Sequence, residues 1–281
     1  MYKTNNKQEK KKSNIFIYLL LIISLTILYS VYIEPNNLII KEYKIENKLL
    51  PNSFDGLKIV HFSDIHYKST VDLKYLKKIV NLINKQNPDI VIFTGDFLDK
   101  RYKPDNKEIE NIQKELKNIN CTLGKYAVSG NHDMDYKTEF EEIITDSFTL
   151  LNNEEKLIYY KETTPISLIG LSDRSETKVD YTVLENDNSF FRFIIAHEPD
   201  EYEKIKDFKF NVLLSGHSHN GQVRIPLIGP LYTPPGAKTY YDEYYKLDNH
   251  EIFISNGIGT SGINLRFNST PSINLYRLYA Y

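Results

Sequence analysis

The 281-residue sequence contains no tryptophan and a single cysteine, Cys121. One thiol excludes an intrachain disulfide and a thiolate zinc site, so the fold stands on its hydrophobic core. Cys121 falls in a turn between a helical stretch and a strand, beside Leu123 and Gly124. No His motif accompanies it, which reads as packing rather than a nucleophile. An excess of either charge is missing too: 35 basic against 37 acidic residues leave a formal charge of −2. A nucleic-acid partner therefore gets no electrostatic support. The wealth of Asn, Lys, Ile and Tyr is the bias of an AT-rich genome rather than a low-complexity function. No internal repeat suggests a solenoid.

Long apolar runs are scarce, with one exception. From Ile15 to Ile33 the stretch IFIYLLLIISLTILYSVYI has no charged residue. At about 1.5 Å per residue it just crosses a hydrocarbon core of about 30 Å. It is too long and too poor in small residues for a cleaved signal peptide, and no A-x-A-like site follows. It reads as a signal anchor, with Tyr29 and Tyr32 suited to an interfacial belt. Lys3, Lys7, Lys10, Lys11 and Lys12 crowd its N-terminal flank, whereas Lys41, Lys44 and Lys48 lie farther off on the other side. The positive-inside rule predicts a cytoplasmic N-terminus and an external domain. The expected division is a basic tail at 1–14, the anchor at 15–33, a linker and edge strand at 34–53, and the main folded domain at 54–281.

Within that domain the pattern opens as strand, loop, helix. Leu57 to Phe62 is a short apolar run, and Leu73, Leu76, Val80 and Ile83 follow at helical spacing until Asn87-Pro88. The order repeats with a strand at Ile90 to Phe93 and a helix carrying Ile109, Ile112, Leu116 and Ile119. It repeats again with Lys125 to Val128 and a helix around Phe140 to Ile144. Leu38 to Ile45 reads as an edge strand. Beyond Leu150 strands dominate: Lys156 to Tyr160, Ile166 to Leu171, Phe190 to Ala196, Val212 to Leu214, Glu251 to Ser255 and Ile273 to Leu278. A helix at Val179 to Glu185 and a shorter one after Asp200 are predicted between them. Alternating strands and helices imply an α/β fold with its loops gathered at the strands' C-terminal edge.

The chemistry lies at those edges. Asp64-Ile65-His66 follows the first strand of the domain, Gly95-Asp96 the second, and Gly130-Asn131-His132-Asp133 the third; His197 and Gly216-His217-Ser218-His219 end later ones. Carboxylates, imidazoles and an amide oxygen are competent metal ligands. A lone strand-end Asp-x-His is more often a hydrogen-bonded loop device. Five clusters at corresponding positions are hard to explain as packing, and they hold five of the seven histidines. Gly95, Gly130 and Gly216 precede ligand candidates where a missing Cβ permits a tight exit. His61, inside a strand, and His250, in a turn, are assigned to neither metal nor catalysis.

DIH, GDFLD, GNHD, AHEP and GHSHNGQ, in this order, resemble the motifs of the calcineurin-like metallophosphoesterase superfamily, over roughly Phe54 to the C-terminus. The resemblance implies an αββα sandwich of two mixed sheets flanked by helices, holding two divalent metal ions (Mn, Fe or Zn). It implies Asp64, His66 and His219 on one metal, Asn131, His197 and His217 on the other, and Asp96 bridging both. His132 would be the general acid and Asp99 the carboxylate that orients it. Protein Ser/Thr phosphatases of the superfamily read GD-x-x-DRG and GNHE; Lys100-Arg101 and Asp133 stand here instead, which argues against that branch. The anchor, LPNSFDGLKIVHFSDIH, the GQ after the last His pair and ISNGIGTSG resemble bacterial membrane-associated phosphoesterases of the UDP-2,3-diacylglucosamine pyrophosphatase kind. That group usually reads GHTHGGQ, so Ser218 and Asn220 are departures. The implied substrate is a phosphodiester or pyrophosphate, lipid-linked or from the cell envelope. A phosphomonoesterase or nucleotidase on the same site is the alternative; a non-catalytic metal-binding module is disfavoured because no ligand is missing.

Two further stretches carry open readings. Asn256 to Gly262, near Arg266, is either a cradle of amides for a phosphate or a structural turn cluster. Arg224, Lys238 and Arg266 are phosphate contacts on charge alone, against the blander reading of solvated surface charge. Leu231 to Tyr245 is rich in tyrosine, lining a groove for an acyl chain or sugar, resting on the membrane face of the domain, or forming a half-buried wall.

Overall fold

A computed structural model of the chain describes residues 3–175 and 178–281, with side chains from Ile15 onward. The lysines of the 1–14 tail therefore have only backbone among the described residues. Helix α1 (Lys3–Leu28) continues through a π turn, Tyr29–Ile33, and a 3-10 turn, Glu34–Asn36. Its apolar side chains from Ile15 to Ile33 stay largely exposed. It is the one helix among the described residues long and apolar enough to cross a membrane.

In chain order the strands are β1 (Ile39–Glu46), β2 (Lys58–Phe62), β3 (Ile90–Phe93), β4 (Gly124–Ala127), β5 (Thr149–Leu150), β6 (Glu154–Ile158), β7 (Ile166–Gly170), β8 (Arg192–Ile195), β9 (Val212–Ser215), β10 (Arg224–Ile225), β11 (Gly229–Pro230), β12 (Tyr244–Leu247), β13 (His250–Ile254) and β14 (Ser272–Tyr279). One six-stranded sheet runs β1-β14-β2-β3-β4-β5 and the other β12-β13-β9-β8-β7-β6; β10 and β11 form a separate hairpin. In the first sheet β2 to β5 are parallel and β14 enters antiparallel to β2. In the second, β7, β8, β9 and β13 are parallel.

Period-two alternation explains the layering. Ile59, Ile90, Ile92 and Val128 of the first sheet pack against Leu168, Phe193, Ile195 and Leu214 of the second. Val60, Phe62, Val91 and Phe93 point the other way, onto helices α2 (Leu73–Lys85), α3 (Asn106–Lys117) and α4 (Lys137–Thr145). Asp72 and Asp105 cap α2 and α3 by accepting the backbone N–H of Tyr75 and Glu108, both at 2.8 Å. The outer face of the second sheet is covered more thinly, by Leu184, by Tyr202 and Ile205 of α5 (Tyr202–Ile205), and by Phe210.

The helix expected at Val179 to Glu185 is a single 3-10 turn, Tyr181–Leu184. Val179, Thr182 and Val183 are β-branched, and the Asp180 side chain accepts the Thr182 N–H, favouring a turn. Strand β12 falls in the tyrosine-rich stretch and puts Tyr244 and Tyr245 on a sheet edge. Tyr240 packs against Tyr202, which assigns most of that stretch to a half-buried wall.

Candidate metal centre

All five clusters lie where parallel strands end: β2 delivers Asp64 and His66, β3 Asp96, β4 Asn131 and His132, β8 His197, and β9 His217 and His219. Five of these residues bend the backbone into the left-handed region: Asp64 (φ 54°), His66 (42°), Asp96 (58°), His217 (65°) and His219 (48°). Non-glycine residues there cost about 1–3 kcal/mol each, and such strain gathers at functional sites. Close approach is enforced as well. A Cβ on Gly130 would meet Asp96 Oδ1 at 2.3 Å, and one on Gly216 would meet Asp64 Oδ2 at 2.5 Å.

The side chains converge in three overlapping groups: Asp64, His66 and His219; His66, Asp96 and His132; and Asp96, His197 and His217. Asp96 Oδ2 stands between two of them, 3.5 Å from His66 Nε2 and 3.4 Å from His197 Nε2. His66 Nε2 is 3.0 Å from His219 Nε2, which is 3.4 Å from Asp64 Oδ1. Asn131 Oδ1 is buried beside them without a hydrogen-bond partner.

The hydrogen bonds of two imidazoles test whether a cation fits. His197 Nδ1 donates to the Thr94 carbonyl at 2.7 Å, and His217 Nε2 donates to the Pro235 carbonyl at 2.7 Å. A carbonyl can only accept, so both outer protons are assigned and each ring, when neutral, turns a lone pair inward. Those inward atoms, His197 Nε2 and His217 Nδ1, are 3.0 Å apart. Two facing lone pairs repel unless a proton or a metal ion lies between them. The outer carbonyls also orient the rings as partners of metal-bound histidines do.

The protein's own charges agree. Burial alone would lower the His197 pKa, yet Asp96 and Asp64 hold it well above the ordinary value, so without a metal ion a proton supplies the positive charge that the site favours at His197 Nε2. Burial alone would raise Asp96, yet His197 and the neighbouring histidines hold it well below. Burial takes His66 down to about 3 and His217 to about 4, leaving both neutral and able to ligate. Burial, with Asp96 nearby, lifts Asp64 to about 7.

His132 stands edge-on to His66, ring centroids 4.6 Å apart; its N–H donates to Asp96 Oδ1 at 2.9 Å, and its Nδ1 is without a partner. Asp99 is buried at the rim but paired with Arg101, whose Nε and Nη2 reach its oxygens at 2.8 and 2.9 Å. Asp99 thus acts on its surroundings by charge across space, not by a hydrogen bond to His132 Nδ1.

Asp133 entered the sequence reading only as a motif residue and Arg266 only on its charge, and Glu34 had no role in it. Asp133 accepts four backbone N–H bonds, from Asp96, Phe97, Leu98 and Gly130, and so ties two ligand loops together. Arg266 is fully buried, donating to Gly259 and Ser269 carbonyls, with Nη2 at 3.1 Å from His219 Nδ1. Glu34, just past the apolar helix, accepts the N–H groups of Asn268 and Ser269. The 256–262 loop is structural in part: its Ile258 and Gly259 amides bond to the Asp64 carbonyl. Arg224 pairs with Asp242 at 2.8 Å, and Lys238 bonds the Thr233 carbonyl.

Two packed mixed sheets with buried His and Asp clusters at the strand exits define a metal-dependent phosphoester hydrolase. Residues 57–221 match the calcineurin-like phosphoesterase family, and the chain belongs to it. It is similar to YkuE of Bacillus subtilis (strain 168), an uncharacterized metallophosphoesterase: 33% identical over 256 residues, 89% of this chain and 88% of that one. It is 27% identical to the phosphodiesterase YaeI of Escherichia coli (strain K12), covering 79% and 82%. It is 25% identical to the UDP-2,3-diacylglucosamine pyrophosphatase LpxG of Chlamydia muridarum (strain MoPn / Nigg), covering 90% and 93%.

Proposed function

We propose that this chain is a two-metal phosphodiesterase or pyrophosphatase, anchored in the cell membrane by Ile15 to Ile33, that hydrolyses a lipid-linked or cell-envelope phosphoester outside the cytoplasm. The observation that carries the metal reading is the pair of inward ring nitrogens of His197 and His217, 3.0 Å apart beside Asp96, with the outer nitrogens committed to carbonyls. Asp64, His66 and His219 would hold one divalent ion, Asn131, His197 and His217 the other, and Asp96 both. Mn, Fe and Zn all suit such N/O donors. When bound, the ions polarise the phosphoryl oxygens and acidify the attacking water.

The chain's own residues do the rest. His132, at the edge of the cluster with a free Nδ1, donates a proton to the departing oxygen. Arg101 keeps the Asp99 carboxylate ionised at the rim of the site: burial would raise its pKa, and Arg101 lowers it. The neutral rings of His66 and His217 keep their lone pairs free at neutral pH.

The test uses the full chain in detergent with Mn²⁺ and a soluble aryl phosphodiester. Asp96→Ala and His132→Ala should each lower kcat by about 100-fold or more. Only Asp96→Ala should also weaken metal binding by calorimetry. Unchanged rates in both variants would sink the assignment. Rates on matching aryl mono- and diesters separate this reading from a phosphomonoesterase. A reporter fused after Tyr281 should be active only outside the cytoplasm; cytoplasmic activity would overturn the topology.

A further inference from the structure

The hairpin made by β10 and β11 carries eight consecutive uncharged residues, Ile225 to Tyr232, on the surface of the protein. Ile225, Leu227, Ile228, Leu231 and Tyr232 are exposed, Leu227 completely and Ile228 to 76%. Leu227 also takes a left-handed backbone, φ 69°, a turn position that Gly or Asn normally fills. A strained and fully exposed leucine gains nothing in water.

Its neighbours say what it meets. The hairpin is bonded to segment 261–267: Arg224 N–H donates to the Phe267 carbonyl at 2.8 Å, and Gln222 Nε2 donates to the Ser261 and Ile263 carbonyls at 3.1 and 3.0 Å. That segment in turn meets the apolar helix, because Arg266 N–H donates to the Ser30 carbonyl at 2.9 Å. Ser30 lies inside the Ile15 to Ile33 run, within about 5 Å of its end at 1.5 Å per residue. Backbone bonded to a residue of a membrane span lies at the membrane interface. On the same segment Ile263 is exposed. Beside the helix exit, exposed Lys78 of α2 bonds the Asn36 carbonyl at 3.0 Å, a cation at headgroup height.

From this we infer that the 225–232 hairpin and Ile263 rest in the interface of the bilayer that holds α1, turning the rim of the metal centre toward the headgroups. The inference rests on reading Ile15 to Ile33 as a membrane span. It deepens the proposed function by naming where the substrate comes from: an amphiphilic phosphoester entering from within the leaflet. The span of chain is short enough. Ile258 N–H donates to the Asp64 carbonyl, and the residues from there to Ile263 extend at most about 18 Å.

The full chain, with Cys121→Ser, is reconstituted in phosphatidylethanolamine and phosphatidylglycerol vesicles. Single cysteines at Leu227, Ile263, Phe190 and Leu21 carry an environment-sensitive dye. Phe190 is exposed near the N-terminal end of β8, away from the strand ends that build the site. Dyes at 227 and 263 should be quenched by nitroxide lipid and shielded from iodide, as at 21, while 190 shows the reverse. Quenching at 21 without quenching at 227 and 263 overturns the docking and leaves the anchor standing. No quenching at 21 removes the span and the docking with it. Leu227→Asp with Ile228→Asp should lower, several-fold, the ratio of rates on a long-chain alkyl aryl phosphodiester held in the vesicle to its soluble methyl analogue. An unchanged ratio refutes entry from the leaflet, whether or not the metal-centre reading holds.

Discussion

Asp133 offers the sharpest test of how the ligand loops are held. Its carboxylate is fully buried; Oδ2 accepts the N–H groups of Asp96 and Gly130 at 2.8 and 2.9 Å, and Oδ1 those of Phe97 and Leu98 at 2.8 and 3.2 Å. Burial and the nearby Asp96 push its pKa up to about 8. Yet all four lone-pair directions face an N–H, leaving no place for an acid proton, so the geometry holds the ionised form. Asp133→Asn keeps the shape but turns an NH2 toward two of the four donors, whichever way the amide lies. Each orphaned buried N–H costs roughly 1–3 kcal/mol, so the loss should be about 2–6 kcal/mol. For a domain of this size that lowers Tm by about 5–20 °C. Circular dichroism of the full chain in detergent is the assay, since there is no tryptophan to follow. Activity should fall too, because the same bonds position Asp96 and Gly130. A Tm within about 2 °C of the parent would refute the reasoning and mean that Asp133 already carries a proton.

Other outcomes follow from the same geometry. His61 is buried between the Tyr276 hydroxyl at 3.1 Å and Thr94 Oγ1 at 2.8 Å, and burial lowers its pKa from 6.5 to about 3. The unfolded chain then binds a proton that the folded one refuses, so stability is full above pH 6.5 and is lost as pH falls toward 3. At pH 5 the loss should be about 2 kcal/mol. His61→Gln should flatten that part of the pH–stability curve measured by urea unfolding; an unaltered slope would refute it. Gly130→Ala places a Cβ 2.3 Å from Asp96 Oδ1 and should cut kcat/KM by about 100-fold, since displacements near 1 Å do so. A change of less than about threefold would show the loop to be compliant. Glu34→Ala should leave the Asn268 and Ser269 amides unpaired and lower Tm by about 4 °C or more, measured by circular dichroism.

Much of the fold was legible because it rests on local pattern. The run at Leu57 to Phe62 and the stripe Leu76, Val80, Ile83 report buried strand and amphipathic helix without knowledge of partners. The candidate ligands were legible because imidazole and carboxylate at strand exits are conspicuous chemistry. What escaped depends on contacts between distant segments or on backbone. Asp133 bonds only to N–H groups, which have no residue signature. Glu34 and Arg266 are more than 200 positions apart yet meet around one loop, and neither stretch alone points to the other. The false helix at Val179 to Glu185 came from apolar spacing in a stretch too short and too β-branched to wind beyond one turn. The apolar hairpin tip at Leu227 and Ile228 drew no reading, because exposure is not written in composition.

Strand β14 sits between β1 and β2 in the first sheet, parallel to one and antiparallel to the other. The gap between edge strand β1 and β2 therefore stays open until β14 has been made, although β2, β3 and β4 can pair much earlier. Synthesis and maturation are thereby coupled. Until then the exits carrying Asp64 and Asp96 have only part of their supporting lattice, and insertion of β14 completes it. A domain closed this way would gain its affinity for metal only once β14 has inserted.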